Sequence, residues 1–494
     1  MAAVPSTACV KPSSVIVSAA DPSLTRLSAT EAVALMASGE VSAERYCEAL
    51  LARCRAYHRL NAFITLEPER VLEQARARDG ARRSGAATGP LFGLPIPLKD
   101  SINTCDYPTT GGTPALRHFR PAADAPIVGS LKAAGAIVLG KTNLHELSYG
   151  WTSNNHAFGA VRNPYDLAHI AGGSSGGTAA AVAARLAPLG VAEDTEGSIR
   201  VPAAFCGIAG FRPTTGRYST AGCIPITALF DQVGPHARCV ADLALFDSVA
   251  ADDWTPLAPA SLRGLRLGIV RDYWFSGLDP EVARVTERAV LRLREAGATL
   301  VEGSLPELAN LIDLTSAHIQ NHDVLITLAR YLRDYDTHLT VDEVIARASP
   351  DIRDFFRDHV LPGGMHVVSE RAYRAARDRH LPSLRRCLNE YFSSAGIAAL
   401  VFPTTRVPAP PIGEETTLRI DGHEVPFETA VARNISPGSS AGIPGLVLPA
   451  GLSSKGLPIG IEFDAPMGAD RALLALGIEL EHALGRIPGP AELA

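Results

Sequence analysis

The sequence predicts an α/β protein in which a β-sheet carries helices on both faces. Two stretches alternate between strand and helix as this class requires. The apolar segment at 266–270 is followed by a helical pattern at 279–296 and then by the β-prone residues A-T-L-V-E, and the stretch from Gly129 to Gly140 runs from a helical pattern into A-I-V-L-G. Helices that alternate with buried strands pack on both sides of a shared sheet.

The first ordered elements are predicted near Ser28. Ser28 and Glu31 have the spacing of a capping box, and Ser42 precedes a second helical pattern that continues to Tyr57. The first 20 residues hold two prolines, several serines and no apolar run of secretory length. We therefore expect residues 1–24 to be a disordered leader rather than an export signal.

Two apolar segments are predicted to be buried. The run at 94–98 is typical of a buried strand, and it ends at Lys99. The alanine-rich segment at 178–187 carries Arg185 and is too short to span a bilayer, so it predicts a core helix. No stretch reaches the roughly 18 apolar residues of a membrane span, and we expect none.

Residues 305–395 differ in character, with Arg, Asp and Leu at helical spacing. A solvated helical layer is the simpler interpretation of the charged faces. The alternative is that part of this segment caps the substrate pocket and sets specificity, because binding residues often lie on variable segments of a rigid scaffold.

Composition agrees with a large enzyme and fits a neutral small molecule better than a charged polymer as its substrate. With 494 residues, of which 46% are hydrophobic, the chain can fill one very large core or two to three ordinary ones. The net charge is −6 and the pI about 6.2, and basic runs with interleaved aromatic residues are absent from the sequence, so nucleic acid and acidic membranes are not expected partners.

The cysteines argue against a metal site. Eight cysteines occur without any C-x-x-C spacing, which disfavours both a zinc site and a dense disulfide framework. Free thiols in the cytosol are the simplest explanation, and we predict a cytoplasmic location. No cofactor and no metal ion are expected.

Three residues carry the chemistry that the sequence suggests. Ser174 lies in A-G-G-S-S-G-G-T, Ser198 in E-D-T-E-G-S-I-R and Lys99 in L-P-I-P-L-K-D. A serine hydroxyl is a weak nucleophile near neutral pH, so it needs a base close by and N–H groups that receive the negative charge of the attacked oxygen. The sequence thus predicts a hydrolase.

These motifs, with V-P-A-A-F-C-G-I-A-G-F-R-P-T-T-G-R at 201–217 and G-K-T-N-L-H-E-L at 140–147, strongly resemble the amidase signature family of serine hydrolases. The resemblance begins near Ser42, fades across 305–395 and returns at G-I-P-G-L-V-L-P-A-G. It implies a mixed sheet sandwiched by helices, with residues 25–494 as a single catalytic domain.

The resemblance also implies roles for individual residues. Ser198 would attack the substrate, Ser174 would relay its proton after a cis peptide bond, and Lys99 would be the base. The oxyanion would bind the backbone amides of Thr195, Glu196, Gly197 and Ser198. Substrate contacts are expected at Tyr149, Gly150, Trp151 and Gly173, although single aromatic residues such as Tyr149 and Trp151 more often pack in a core.

Lys99 can act as a base only if its pKa falls. A lysine with the usual pKa of about 10.4 is protonated at pH 7, so burial must lower that value by roughly 3 units, about 4 kcal/mol. The apolar run before Lys99 suits this requirement. The alternative is a structural ion pair between Lys99 and the neighbouring Asp100.

The chain departs from the family pattern at two places. Glu196 stands where the family usually has glycine, and Ala192-Glu193 replaces a Gly-Thr pair before Asp194. We expect the side chain of Glu196 to point away from the pocket, toward a cation such as Arg200, and we expect neither departure to touch a side chain of the triad.

Three other motifs are given structural interpretations. Lys141 lies in G-A-I-V-L-G-K-T, which matches a bare phosphate-loop pattern, but the apolar A-I-V-L run is poorly suited to surround phosphates. His145 lacks the second histidine of H-E-x-x-H. Cys206 lies in an apolar setting that favours packing over reactivity.

Within the family, the chain most resembles hydrolases of simple amides, such as mandelamide and indoleacetamide hydrolases, and the related urethanases. We expect a small amide, carbamate or aryl ester as substrate, with an aromatic or short-chain acyl group, and a monomer or homodimer. Two alternatives stay open: a glutamine amidotransferase subunit that works with a partner, and a non-catalytic scaffold.

Overall fold

The structure is a computed structural model that describes residues 22–492. In this part of the chain the strands are β1 (Phe63–Thr65), β2 (Pro95–Lys99), β3 (Ile137–Thr142), β4 (Asn154–Asn155), β5 (Gly159–Ala160), β6 (Leu189–Asp194), β7 (Ala209–Arg212), β8 (Gln232–Ala237), β9 (Arg266–Val270), β10 (Thr299–Gly303), β11 (Ala399–Pro403), β12 (Thr417–Ile420), β13 (His423–Pro426), β14 (Gly445–Leu452) and β15 (Pro458–Asp464).

Eleven of these strands form one sheet, in the order β1-β3-β2-β6-β8-β7-β14-β15-β11-β9-β10. The pairs β2–β3, β2–β6, β9–β10 and β9–β11 are parallel. The central pairs from β6 to β15, through β8, β7 and β14, are antiparallel. The predicted mixed sheet is confirmed.

The helices of the same residues are α1 (Ala29–Ser38), α2 (Ala43–Ala56), α3 (Pro68–Arg83), α4 (Pro126–Ala133), α5 (Gly176–Ala183), α6 (Arg200–Cys206), α7 (Val240–Ala250), α8 (Arg271–Trp274), α9 (Pro280–Glu295), α10 (Leu308–Asp313), α11 (Ser316–Asp334), α12 (Val341–Arg347), α13 (Pro350–His359), α14 (Glu370–Ala375), α15 (Leu381–Ala395), α16 (Phe427–Ala432), α17 (Ser436–Ala441) and α18 (Asp470–Leu484). None of them combines the length and apolar character needed to cross a bilayer.

Both faces of the sheet are buried, as strand β14 illustrates. Leu446 and Leu448 join a core cluster with residues of α7, α9 and α18, whereas Val447 joins a second cluster with the alanines of α5 and α6. Successive side chains of a strand point to opposite faces. Helices therefore cover both sides of the sheet, as the sequence predicts.

The N-terminal prediction is confirmed at its helices. The Ser28 side chain accepts a hydrogen bond from the N–H of Glu31, and the carboxylate of Glu31 accepts one from the N–H of Ser28, so α1 begins with a complete capping box. Ser42 caps α2 by accepting from the N–H of Arg45. Of the predicted leader, residues 1–21 lie outside the described residues, while Leu24 is buried in a 3-10 turn.

Segment 305–395 is helical and contains α10 to α15. Side chains of α11, α12 and α13 form a cluster with Leu147 and Ile224, against which Tyr149 packs. The segment therefore contacts the stretch that the sequence associates with substrate.

Replacement of Phe463 tests the central packing of the sheet. Phe463 lies in β15 with no exposed surface, so Phe463→Ala removes a large buried side chain and should lower the free energy of unfolding by about 3–5 kcal/mol. The thermal melting profile measures the effect, and Met467→Ala is the control because Met467 is 45% exposed. An unchanged profile for Phe463→Ala would contradict this packing.

Candidate active site

Lys99 is the last residue of β2, in the interior of the sheet between β3 and β6. Its side chain has no exposed surface. The Nζ atom lies 2.6 Å from Ser174 Oγ, at hydrogen-bond distance. The sequence-predicted pair of a lysine and a serine is therefore in direct contact, although 75 residues separate them.

Ser174 lies in the loop that leads into α5, and the Gly173–Ser174 peptide bond is cis. The carbonyl oxygen of Ser174 accepts hydrogen bonds from the His145 N–H at 3.0 Å and from Ser153 Oγ at 3.1 Å. These bonds fix the loop, so that the hydroxyl of Ser174 is directed to Lys99.

Ser198 lies between β6 and α6, and its carbonyl oxygen accepts a hydrogen bond from the N–H of Ser175 at 3.3 Å. The loop of Ser174 and the loop of Ser198 are thus in contact. Ser198 is 6% exposed, whereas Ser174 and Lys99 have no exposed surface. Of the three, Ser198 is the residue that a molecule from solvent reaches first.

Burial lowers the pKa of Lys99, and the nearby carboxylate of Glu193 opposes that shift. The alternative pairing with Asp100 is wrong, because Asp100 Oδ1 lies 2.8 Å from the Nζ of Lys141 instead. Lys141 is itself fully buried. Its charge is matched within the fold, which also removes the basis for a phosphate loop at this motif.

Asp194 organises the loop that carries Ser198. Its carboxylate accepts from the N–H of Gly197 at 2.8 Å and from the N–H of Ile199 at 3.0 Å. It also forms ion pairs of 3.2 Å with Arg200 and Arg212. Although burial alone would raise the pKa of Asp194, the two guanidinium groups hold it well below its usual range. The aspartate is therefore a permanent anion that clamps the loop.

The backbone and surroundings of Gly197 favour glycine at this point of the loop. Its φ is +94°, and a Cβ atom would lie 1.7 Å from Cδ1 of Ile435. The predicted role of its amide needs a correction, because the N–H of Gly197 already donates to Asp194. Among residues 22–492, the structure shows no acceptor for the N–H groups of Thr195, Glu196 and Ser198.

The side chain of Glu196 does not pair with Arg200, and this expectation is wrong. Arg200 is engaged by Asp194 and by Glu462, whose Oε1 lies 2.6 Å from its Nη1. Glu196 instead accepts hydrogen bonds from Ser316 Oγ at 2.8 Å, from Gln320 Nε2 at 2.5 Å and from Ser436 Oγ at 2.6 Å. A carboxylate in place of glycine thus joins the Ser198 loop to helix α11.

Glu193 is a residue that sequence reasoning missed. Its Oε1 lies 3.2 Å from the Nζ of Lys99, so the departure at 192–193 does touch a side chain of the predicted triad, contrary to expectation. The replacement of threonine by glutamate just before Asp194 was the available signal. It could not be interpreted without knowing that β6 lies beside β2.

The predicted substrate residues meet the serine loops at two points. Nε1 of Trp151 donates to the carbonyl of Glu196 at 2.7 Å. Gly173 packs so closely on the backbone of 150–152 that a Cβ atom there would lie 2.8 Å from the Gly150 oxygen. Trp151, Gly150 and Gly173 therefore belong to one surface with Glu196.

Tyr149 faces the helical segment. Its ring lies 5.3 Å from that of Phe355 and 5.0 Å from that of Phe356, measured between centroids. Its hydroxyl oxygen is buried and has no hydrogen-bond partner in the described part of the chain. The ring is partly buried where it packs against this segment, so its predicted contact with substrate stays a prediction.

Known proteins resemble this chain along most of its length. The sequence model of the family described as "Amidase" matches residues 45–474. Indoleacetamide hydrolase of Agrobacterium vitis is 39% identical over 88% of this chain and 92% of its own length. Mandelamide hydrolase of Pseudomonas putida is 37% identical over 94% and 93%. A glutamyl-tRNA(Gln) amidotransferase subunit of Chloroflexus aggregans is 37% identical over 91% and 95%.

Solved structures of amidases are also similar to this chain over most of its length. A chain described as "Crystal structure of amidase" superposes with a TM-score of 0.83 at 31% identity, over 93% of this chain and all of the other. The native peptide amidase from Stenotrophomonas maltophilia superposes with a TM-score of 0.78 at 29% identity, over 94% and 98%.

The Asp194 clamp can be tested by Asp194→Asn. The asparagine amide lacks the negative charge that pairs with Arg200 and Arg212, so the free energy of unfolding should fall by about 3–5 kcal/mol. Displacement of the Ser198 loop should lower turnover by about a hundredfold. Asp247→Asn is the matched control, since Asp247 is also buried and pairs with Arg217 at 2.6 Å. It should lower the melting temperature but leave kcat close to wild type; equal kcat losses in both variants would contradict the clamp.

Proposed function

The chain belongs to the amidase family, and on that basis we propose that it hydrolyses a small amide or carbamate through Ser198, Ser174 and Lys99. As a member of this family with amide hydrolases among its relatives, it is an enzyme that acts on carbon–nitrogen bonds of non-peptide amides. The triad, the order of its proton transfers and the substrate are the proposal.

The observation that carries the proposal is the contact between Lys99 and Ser174. The amine and the hydroxyl lie 2.6 Å apart with no exposed surface on either residue. Burial lowers the pKa of Lys99, which favours the neutral amine that a general base requires. A surface lysine at the same distance would be an ammonium ion and could only donate.

Acylation begins when Lys99 takes the proton of Ser174. Ser174 takes the proton of Ser198 in turn, and Ser198 Oγ bonds to the carbonyl carbon of the substrate. The carbonyl oxygen becomes an oxyanion, and the free N–H groups of Thr195, Glu196 and Ser198 are available to bind it. Three amides that donate to nothing else in the described residues suit this task better than the amide of Gly197, which holds Asp194.

The tetrahedral intermediate then collapses. The carbon–nitrogen bond breaks, and the proton held by Lys99 passes through Ser174 to the leaving nitrogen. An acyl-enzyme on Ser198 remains. A water molecule repeats the sequence: it loses a proton through Ser174 to Lys99, attacks the ester, and Ser198 recovers its proton as the acid departs.

We place the acyl group of the substrate beside Trp151, Gly150 and Gly173. The indole of Trp151 is held by its hydrogen bond to the Glu196 carbonyl, and the hydroxyl of Tyr149, two residues earlier in the chain, has no hydrogen-bond partner within residues 22–492. An aromatic or short-chain acyl group fits an aromatic surface with few polar groups. The names of the indoleacetamide and mandelamide hydrolases support an aryl-bearing amide. Amides, carbamates and aryl esters present similar carbonyl groups to one nucleophile.

The second candidate is a glutamine amidotransferase subunit, which the similarity to the Chloroflexus protein favours. Such a protein would release ammonia from glutamine only with its partner present. A panel of aryl amides, carbamates, esters and glutamine, assayed with and without partner proteins, separates the two functions. The cytoplasmic location and the monomeric or dimeric state stay predictions.

Ser198→Ala tests the nucleophile. The variant should lose turnover of every substrate in the panel and all labelling by a fluorophosphonate probe, because the acyl-enzyme cannot form. Its melting profile should match wild type, since the change removes one oxygen atom and keeps the backbone hydrogen bond between Ser175 and the carbonyl of Ser198. Ser219→Ala, at an exposed serine between β7 and β8, is the control and should retain turnover. Hydrolysis by Ser198→Ala at the wild-type rate would refute the assignment.

Glu196→Gly tests the link between the Ser198 loop and the helical segment. The change removes three side-chain hydrogen bonds, two of them to α11, but keeps the backbone N–H. We expect kcat on the best substrate to stay within about tenfold of wild type, while KM rises for the larger acyl groups.

Gln320→Ala provides the matched comparison, because it breaks the contact from the side of α11 and should reproduce the change in KM. A loss of kcat beyond about a hundredfold in Glu196→Gly alone would mean that the carboxylate takes part in the chemistry.

A further inference from the structure

We propose that Glu193 is a positioning residue for Lys99: its carboxylate holds the amine toward Ser174 and balances the charge that the amine acquires when it accepts a proton. The inference rests on the proposed function and adds a fourth group behind the three residues described above. Glu193 itself touches neither the substrate nor the transferred proton.

The geometry shows a carboxylate that is fixed in place. Glu193 Oε1 lies 3.2 Å from Lys99 Nζ and accepts a hydrogen bond of 2.7 Å from Ser148 Oγ. Glu193 is 8% exposed. The amine therefore contacts two oxygen atoms, Ser174 Oγ and Glu193 Oε1, and this arrangement restricts the rotamers of an otherwise flexible side chain.

The other carboxylates near Lys99 are committed elsewhere. Asp100, its neighbour in the chain, pairs with Lys141 at 2.8 Å. Asp194 pairs with Arg200 and Arg212. In residues 22–492, Glu193 is the carboxylate whose oxygen lies at ion-pair distance from the Lys99 amine, 3.2 Å away.

The effect on the base has a definite sign. A carboxylate beside an amine favours the protonated amine, so Glu193 raises the pKa of Lys99 and partly offsets the lowering by burial. In the reaction, Lys99 is an ammonium ion whenever the oxyanion exists. Glu193 thus stabilises that state at the expense of the neutral resting base, and its removal must move the protonation of Lys99 to lower pH.

Glu193 also lines a cavity of about 380 Å³ together with Asp231, Thr327 and Tyr331. Burial raises the pKa of Asp231 to about 7, so Asp231 titrates within the pH range over which kcat/KM would be measured. The titratable or charged groups that face Lys99 and Glu193 are Asp194, Cys223, Asp231, His236, Arg330, Tyr331, Asp334 and Tyr335.

The test is the pH dependence of kcat/KM for Glu193→Gln with an aryl amide that wild type hydrolyses. Activity rises with pH as Lys99 loses its proton, and in the variant this rise should occur at a pH lower by at least about one unit, with a reduced plateau. Glu193→Thr, which restores the residue of the family pattern, should shift in the same direction. It serves as the second variant if glutamine at this position impairs folding.

Two comparisons isolate the effect. Glu146→Gln is the matched control, because Glu146 is also buried and accepts from the N–H of Ser349 at 3.0 Å without pairing with Lys99; its profile should keep the wild-type midpoint. Asp231→Asn removes the neighbouring acid, and the wild-type midpoint should persist within about half a unit.

A midpoint that stays in place in both Glu193 variants, or that moves to higher pH, overturns the inference. A shift seen only in Asp231→Asn does so as well, because it assigns the titration to the wrong group. Failure of the proposed function is distinct: Ser198→Ala and Lys99→Met would then hydrolyse the same amide, whereas failure of the inference leaves both inactive.

Discussion

The burial of one amine determines how the rest of the site is built. Lys99 has no exposed surface and contacts the hydroxyl of Ser174. Removing an ammonium ion from water costs several kcal/mol, so the neutral form gains in relative stability. The surrounding sheet supplies this environment, because β2 has neighbours on both edges and its five residues are all buried.

Other buried ionisable groups around the site pair with one another rather than with Lys99. Asp194, Arg200, Arg212 and Glu462 form a buried network beneath the Ser198 loop, and Asp100 with Lys141 forms another pair. Removal of one member of such a network leaves an uncompensated buried charge. The network thus fixes the loop of Ser198, in which the amides of Thr195, Glu196 and Ser198 donate to no acceptor within residues 22–492. In the same residues, Glu193 is the carboxylate directed at the proposed base.

Much of this architecture was predictable from local sequence. The capping box at Ser28, the buried strand before Lys99 and the alternation around 266–303 depend on neighbouring residues, and each is found in the structure. The contact between Ser174 and Lys99 was predicted from the family resemblance. The pairing of Asp100 with Lys141, the contacts of Glu196 with Ser316 and Ser436, and the approach of Glu193 to Lys99 depend on which strands and helices are neighbours in space. A single sequence does not specify that β2 pairs with β6 or in which register, so those partners could not be deduced.

The central claim is that Lys99 is a neutral amine at the pH of catalysis. Nuclear magnetic resonance of side-chain amines in the ¹⁵N-lysine-labelled enzyme, assigned with Lys99→Met, measures its protonation directly. We predict that Lys99 titrates well below the usual lysine pKa of about 10.4, because burial outweighs the carboxylate of Glu193. A Lys99 amine that stays protonated up to or above that value would contradict the account.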